Sequence, residues 1–192
     1  THRHSSAASD VYKRQIVTMD LHSTQIQGFA KIPFDHLYSR MVLMKAISDL
    51  GLDPKQSVVL APDIGSAAIS QAYAKRLKMH FALIDKRRFA PNQAKISHLI
   101  GDLDNMDVLI IDDMIDTAGT TVGAANAAME KGAKSVTAIA THGVLSGPAI
   151  QRLKSAPIKN LVVTDTIQIP EEKMLSNMKI ITVADVIGAA IN

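Results

Sequence analysis

The chain has 192 residues, of which 47% are apolar, 20% are charged and none is cysteine. That length and apolar share indicate one folded domain rather than a disordered chain, and the absence of cysteine excludes a disulfide scaffold, a thiolate zinc site and a cysteine nucleophile. Most of the net charge of +3 lies in residues 1–15, where Arg3, Lys13 and Arg14 outweigh Asp10. The near-neutral remainder, with 4% aromatic residues, argues against a nucleic-acid surface.

Residues 1–15 read THRHSSAASDVYKRQ, with no strand or helix period and no apolar middle region such as a signal peptide needs. The stretch resembles a translated sequencing adapter, and the expectation is a foreign or disordered leader outside the fold. Residues 16–22 predict a strand that runs into a polar site with no preceding neighbour. Helical spacing follows over residues 36–50. Residues 57–61 form a continuous apolar run closed by Pro62-Asp63-Ile64-Gly65, and residues 66–78 predict a helix with a basic end. A strand is expected over 79–84, an irregular charged segment over 85–94 and a short apolar run over 96–100.

Val108-Leu109-Ile110-Ile111 reads as a strand covered on both faces. An Ala-rich helix over 120–131 stops at Gly132. Strands at 136–140, 161–163 and 180–183 and helices at 147–154 and 184–190 complete the pattern. Strand–helix alternation at this spacing predicts one α/β domain over residues 16–192, a mostly parallel sheet with helices on both faces. Ligands of such sheets bind at the carboxyl ends of the strands. No apolar run reaches the roughly 18 residues of a membrane span, and the lack of cysteine fits a reducing compartment.

The chemistry is concentrated in Asp112-Asp113-Met114-Ile115-Asp116-Thr117-Ala118-Gly119-Thr120-Thr121. A buried strand ends in two carboxylates, and a Thr- and Gly-containing loop then opens a helix. Loop amides and a helix N-terminus favour an anion at Asp116, Thr117, Ala118, Gly119 and Thr120. Asp112 and Asp113 can accept hydrogen bonds from sugar hydroxyls or hold a metal. Together the two halves suit a pentose phosphate. Taken singly, an Asp pair can merely end a strand, and Asp116 or Thr117 can merely cap a helix.

This string resembles the phosphoribosyl-diphosphate motif of type I phosphoribosyltransferases and ribose-phosphate pyrophosphokinases. Asp20-Leu21-His22-Ser23-Thr24-Gln25-Ile26-Gln27-Gly28-Phe29 resembles the metal-binding signature of the second family, the phosphoribosyl-diphosphate synthetases. So do Pro62-Asp63-Ile64-Gly65, Ile84-Asp85-Lys86-Arg87-Arg88, Ala140-Thr141-His142-Gly143 and Ser146-Gly147-Pro148-Ala149, all in the family's order. The resemblance covers residues 16–192 and implies the C-terminal half of such an enzyme, with a type I phosphoribosyltransferase-like fold. The N-terminal half is then missing, so this chain alone is expected to use ATP poorly.

The implied reaction moves a diphosphoryl group from ATP to ribose 5-phosphate, giving 5-phosphoribosyl 1-diphosphate and AMP for nucleotide biosynthesis. The resemblance implies Lys86 and Arg88 as the catalytic pair on a mobile loop, Asp112 and Asp113 on the ribose hydroxyls, and residues 116–120 on the 5-phosphate. It implies magnesium as cofactor, held by His22 and Asp63, with Asp20 and Asp35 as weaker candidates. It further implies a cytoplasmic homo-oligomer in the full-length enzyme, with neither nucleic acid nor membrane as partner. Two positions depart from the family pattern. Gly28-Phe29-Ala30-Lys31 replaces Gly-Phe-Phe-acidic, and Ala118 stands where Gly is frequent, which is tolerable unless the backbone there takes positive φ.

A plain phosphoribosyltransferase would lack the Asp-Leu-His and Lys-Arg-Arg segments. A non-catalytic regulatory relative would lose His22, Lys86, Arg88 or Asp112, all of which are present. Gly132-Ala133-Lys134-Ser135 is no P-loop, and no G-x-G-x-x-G follows the first strand.

Overall fold

The computed structural model describes residues 15–87 and 96–191. Its chain order is β1 (Ile16–Met19), β2 (Phe34–Leu37), α1 (Arg40–Ser48), β3 (Ser57–Ala61), α2 (Ala67–Leu77), β4 (His80–Arg87), β5 (Ile96–Ile100), β6 (Asp107–Ile115), α3 (Gly119–Glu130), β7 (Ser135–Gly143), α4 (Ala149–Ser155), β8 (Asn160–Thr164), β9 (Met178–Ile181) and α5 (Ala184–Ile191). Seven strands form the main sheet in the order β5-β4-β3-β6-β7-β8-β9, and β1 and β2 form a small parallel pair. Every pairing in the main sheet is parallel except β4 with β5.

Alternation along the strands sorts the core into two layers, because successive side chains point to opposite faces. Val58, Leu60, Val108, Ile110, Ala138 and Val163 pack with Ala124, Ala125 and Ala128 of α3 and Leu153 of α4. Val59, Leu109, Ile111, Ile139 and Val162 pack with Leu43 and Ile47 of α1 and Tyr73 of α2. Both faces are therefore covered, which is why these strands read as unbroken apolar runs. The three alanines of α3 are fully buried, so small side chains let that helix lie close to the sheet. Gly132, at φ +83, ends the turn after α3, and a Cβ there would stand 2.4 Å from Asp104 Oδ1.

Several boundaries differ from the sequence reading. The expected helix over 36–50 begins only at Arg40. Phe34–Leu37 instead pairs in parallel with β1, with Ile16 opposite Phe34 and Met19 opposite Leu37, so β1 does have a neighbour, which follows it in sequence. The segment expected to be irregular from residue 85 continues β4 to Arg87, antiparallel to β5, with Lys86 opposite Ser97. β6 runs four residues past Ile111, so Asp112 and Asp113 belong to its carboxyl end. β9 ends at Ile181 rather than Val183.

Candidate sugar-phosphate site at the strand ends

A cavity of about 890 Å³ opens at the carboxyl ends of β3 and β6. Its lining brings together residues distant in sequence: Asp20, His22, Asp63, Asp112, Asp113 and the loop Asp116-Thr117-Ala118-Gly119-Thr120. Asp35 is not part of this wall. It lies exposed on β2, where its carboxylate accepts from Gln15 Nε2. Lys86 is on the backbone of β4, and Arg88 falls outside the described residues.

The acidic ridge comes from β6. Asp112 Oδ1 accepts the Asp113 N–H at 3.0 Å, and Asp113 Oδ1 accepts the Met114 N–H at 2.8 Å. The other Asp113 oxygen meets His22 Nδ1 at 2.6 Å. That hydrogen bond and the Asp113 charge raise the pKa of His22 above its ordinary value. Burial, reinforced by the adjoining Asp113, pushes the Asp112 carboxyl up to about 7. The ridge thus holds more negative charge than its surroundings stabilise, a condition that hydroxyl donors or a cation relieve.

The loop has features that can receive an anion. The N–H groups of the first turn of α3 have no acceptor within the helix. Asp116, which would repel an anion, is turned to Ser146: the Ser146 Oγ–H donates to Asp116 Oδ1, and the Ser146 N–H donates to the Asp116 carbonyl at 3.0 Å. Ala118 takes φ +60, so the condition under which Gly would be preferred is met. The left-handed conformation costs an alanine about 1 kcal/mol. Burying its methyl (4% exposed) returns about 0.8 kcal/mol. Glycine would also lose about 0.5–1 kcal/mol in chain entropy. The two residues come out nearly even, which accounts for the alanine.

Asp20 lines the cavity with one of its carboxylate oxygens engaged by the fold. Its Oδ2 accepts the Ser39 N–H at 3.1 Å and the Thr141 Oγ1–H at 2.7 Å, while Ser39 Oγ and Thr141 Oγ1 stand 2.8 Å apart. With φ +40, Asp20 turns the chain out of β1 toward His22. His142 Nε2 adds contacts to the Met19 and Asp20 carbonyls at 2.9 and 3.2 Å, and the Leu21 N–H donates to His36 Nε2 at 3.0 Å. Sequence reasoning placed Thr141 in a motif but missed this use of it, since Asp20 and Thr141 are 121 residues apart. Thr141→Val is expected to destabilise the chain by about 1–3 kcal/mol, because Thr141 is 1% exposed and the Asp20 carboxylate loses a buried donor. Urea unfolding checks this; a loss below about 0.5 kcal/mol would show the network to be incidental.

Among the described residues no group of three or more His, Asp or Glu could by itself hold a metal. A magnesium ion needs no such cage, since it keeps waters and takes phosphate oxygens with one or two protein ligands. His22 and Asp63 fit that demand. Asp63 Oδ1 accepts from the Ser66 N–H at 3.0 Å and from its hydroxyl at 3.1 Å, which fixes the carboxylate at the start of α2. Other cavity residues, Tyr38, Arg40, Ile69 and Tyr73, belong to no motif and carried no sequence signal. No described helix is long and apolar enough to cross a membrane.

Residues 87–192 match the family described as phosphoribosyl synthetase-associated domain. A ribose-phosphate pyrophosphokinase of Caldanaerobacter subterraneus subsp. tengcongensis is 48% identical over 177 residues, which is 92% of this chain and 56% of that protein. Its counterpart from Clostridium tetani is 44% identical over 178 residues, again 92% and 56%. The crystal structure of phosphoribosylpyrophosphate synthetase from Mycobacterium smegmatis superposes with a TM-score of 0.85 at 36% identity, covering 94% of this chain and 58% of that one. The chain spans a little over half the length of these relatives.

Proposed function

The chain belongs to the phosphoribosyl synthetase-associated domain family, and from that premise we propose that it is the ribose 5-phosphate-binding part of a ribose-phosphate diphosphokinase. That enzyme would transfer a diphosphoryl group from ATP to the anomeric hydroxyl of ribose 5-phosphate and release AMP. The observation that carries the reading is the single cavity shared by the Asp112–Asp113 ridge and the anion-receptive loop 116–120.

In this reading Asp112 and Asp113 accept hydrogen bonds from the 2- and 3-hydroxyls, and the amides and hydroxyls of the loop hold the 5-phosphate. The anomeric hydroxyl is thereby fixed for in-line attack on the β-phosphorus of ATP, with AMP as the leaving group, and such positioning is the main requirement of phosphoryl transfer. Lys86 and Arg88 spread positive charge over the transferring group. His22 and Asp63 would hold magnesium, which supplies charge neutralisation to the phosphates when bound. By its kinship with the ribose-phosphate pyrophosphokinases, the full-length enzyme would act in nucleotide biosynthesis as a cytoplasmic homo-oligomer.

Calorimetric titration of the chain with ribose 5-phosphate in magnesium buffer tests the binding half of this reading. Saturable heat is expected with ribose 5-phosphate, and at least about 10-fold weaker binding with ribose, the loss of a charge-assisted phosphate contact. Equal affinity for the two sugars would sink it.

A further inference from the structure

The loop that would receive the phosphate sits in a cavity whose walls are acidic. Asp20, Asp63, Asp112, Asp113 and Asp116 line it, against one arginine, Arg40. A phosphate dianion entering such a site needs positive charge close to the loop. The structure supplies it from behind. Arg152, on α4, donates from Nη1 to the Thr117 carbonyl at 2.9 Å. The same nitrogen lies 3.4 Å from where a Gly119 Cβ would stand, so the guanidinium rests on the open face of that glycine. Among the described residues it has no carboxylate partner.

We propose that Arg152 is a positioning residue of the anion loop: it draws the Thr117 carbonyl away from the substrate, turns the Ala118 N–H toward it, and lends the loop its charge. The role rests on the sugar-phosphate reading given above. The peptide between Thr117 and Ala118 is planar and trans, so its N–H points opposite to its C=O. A carbonyl held by Arg152 on one side therefore presents the amide on the other. Were the peptide to flip, the carbonyl oxygen would face the phosphate and repel it. The scaffold behind Arg152 is firm: Ala149 and Leu153 of α4 are buried, and the Arg152 N–H donates to the Pro148 carbonyl at 3.0 Å.

The experiment compares the full chain with Arg152→Ala and Arg152→Lys, each titrated with ribose 5-phosphate while the Ala118 amide is followed by nitrogen–proton NMR. Arg152 is exposed, so all three proteins are expected to keep the same melting temperature. In the parent chain, ribose 5-phosphate is expected to shift the Ala118 amide downfield. Arg152→Ala is expected to weaken binding about 10- to 30-fold and to lose most of that shift. Arg152→Lys, which keeps charge but not the planar fork, should recover part of both. Affinity within twofold of the parent, with the Ala118 shift unchanged in Arg152→Ala, would overturn the proposal while leaving the sugar-phosphate reading standing. A parent chain that does not bind ribose 5-phosphate at all would remove both.

Discussion

Replacing Asp112 and Asp113 together by alanine is expected to lower ribose 5-phosphate affinity by roughly 100- to 10,000-fold while the fold persists. Each carboxylate would accept a charge-assisted hydrogen bond from a ribose hydroxyl, worth about 1.5–3 kcal/mol. Two such losses amount to roughly 3–6 kcal/mol, and each 1.4 kcal/mol is a tenfold change. The fold should survive because neither side chain belongs to a core layer: both are half-buried at the rim of β6, beyond Ile110 and Ile111. Alanine also removes the buried carboxyl of Asp112, which burial and then the adjoining Asp113 push up. Calorimetry reads the affinity and circular dichroism the fold. Unchanged binding in a folded double variant would refute the sugar assignment.

The second large effect is on stability against pH. The Asp112 carboxyl titrates near 7 in the folded chain, against 3.8 for an unperturbed aspartate. The folded state therefore holds a proton that the unfolded chain has released over most of the interval between these values. By linkage, stability falls as pH rises through that window. Asp112→Asn removes the titrating group. It is expected to match the parent chain at pH 4 and to exceed it by about 1–3 kcal/mol at pH 8 without magnesium or sugar, after discounting for partial exposure of the site. Urea unfolding at the two pH values decides it. A parent chain that gains on the variant as pH rises would reverse the sign and exclude burial as the cause.

How far the sequence reveals this molecule depends on the range of the forces at each place. The main sheet was legible because its strands are buried on both faces, so Val108 to Ile111 and Val58 to Ala61 contain nothing polar to obscure them. The loop from Asp112 to Thr120 was legible because its chemistry is contiguous: strand, carboxylates, hydroxyls and helix start follow one another. β2 was missed because Phe34 and Leu37 are three apart, a spacing that also suits a helix. What makes them a strand is pairing with β1, eighteen residues earlier. The extension of β4 was missed for a related reason: Asp85, Lys86 and Arg87 carry no apolar alternation, and only β5 reveals them as a strand.

The site was readable residue by residue but not in its supports. Asp20 reads as a metal candidate in sequence, and its sequence neighbours do not disclose that the fold ties one of its oxygens to Ser39 and Thr141 at the cavity wall. Asp35 reads as another, yet β2 carries it away from the cavity. Ser146 and Arg152, which set the carboxylate of Asp116 and the carbonyl of Thr117, act across 30 and 35 residues. No local pattern can disclose a contact made by a later helix.

The central claim is that one cavity holds a pentose phosphate by its diol and its phosphate at once. Phosphorus NMR of ribose 5-phosphate, titrated with the full chain in magnesium buffer, tests it most directly. The account predicts a saturable shift and broadening of the 5-phosphate resonance, lost when Asp112 and Asp113 are both alanine. A resonance that stays in place at millimolar chain, or that moves equally with the double variant, would contradict it.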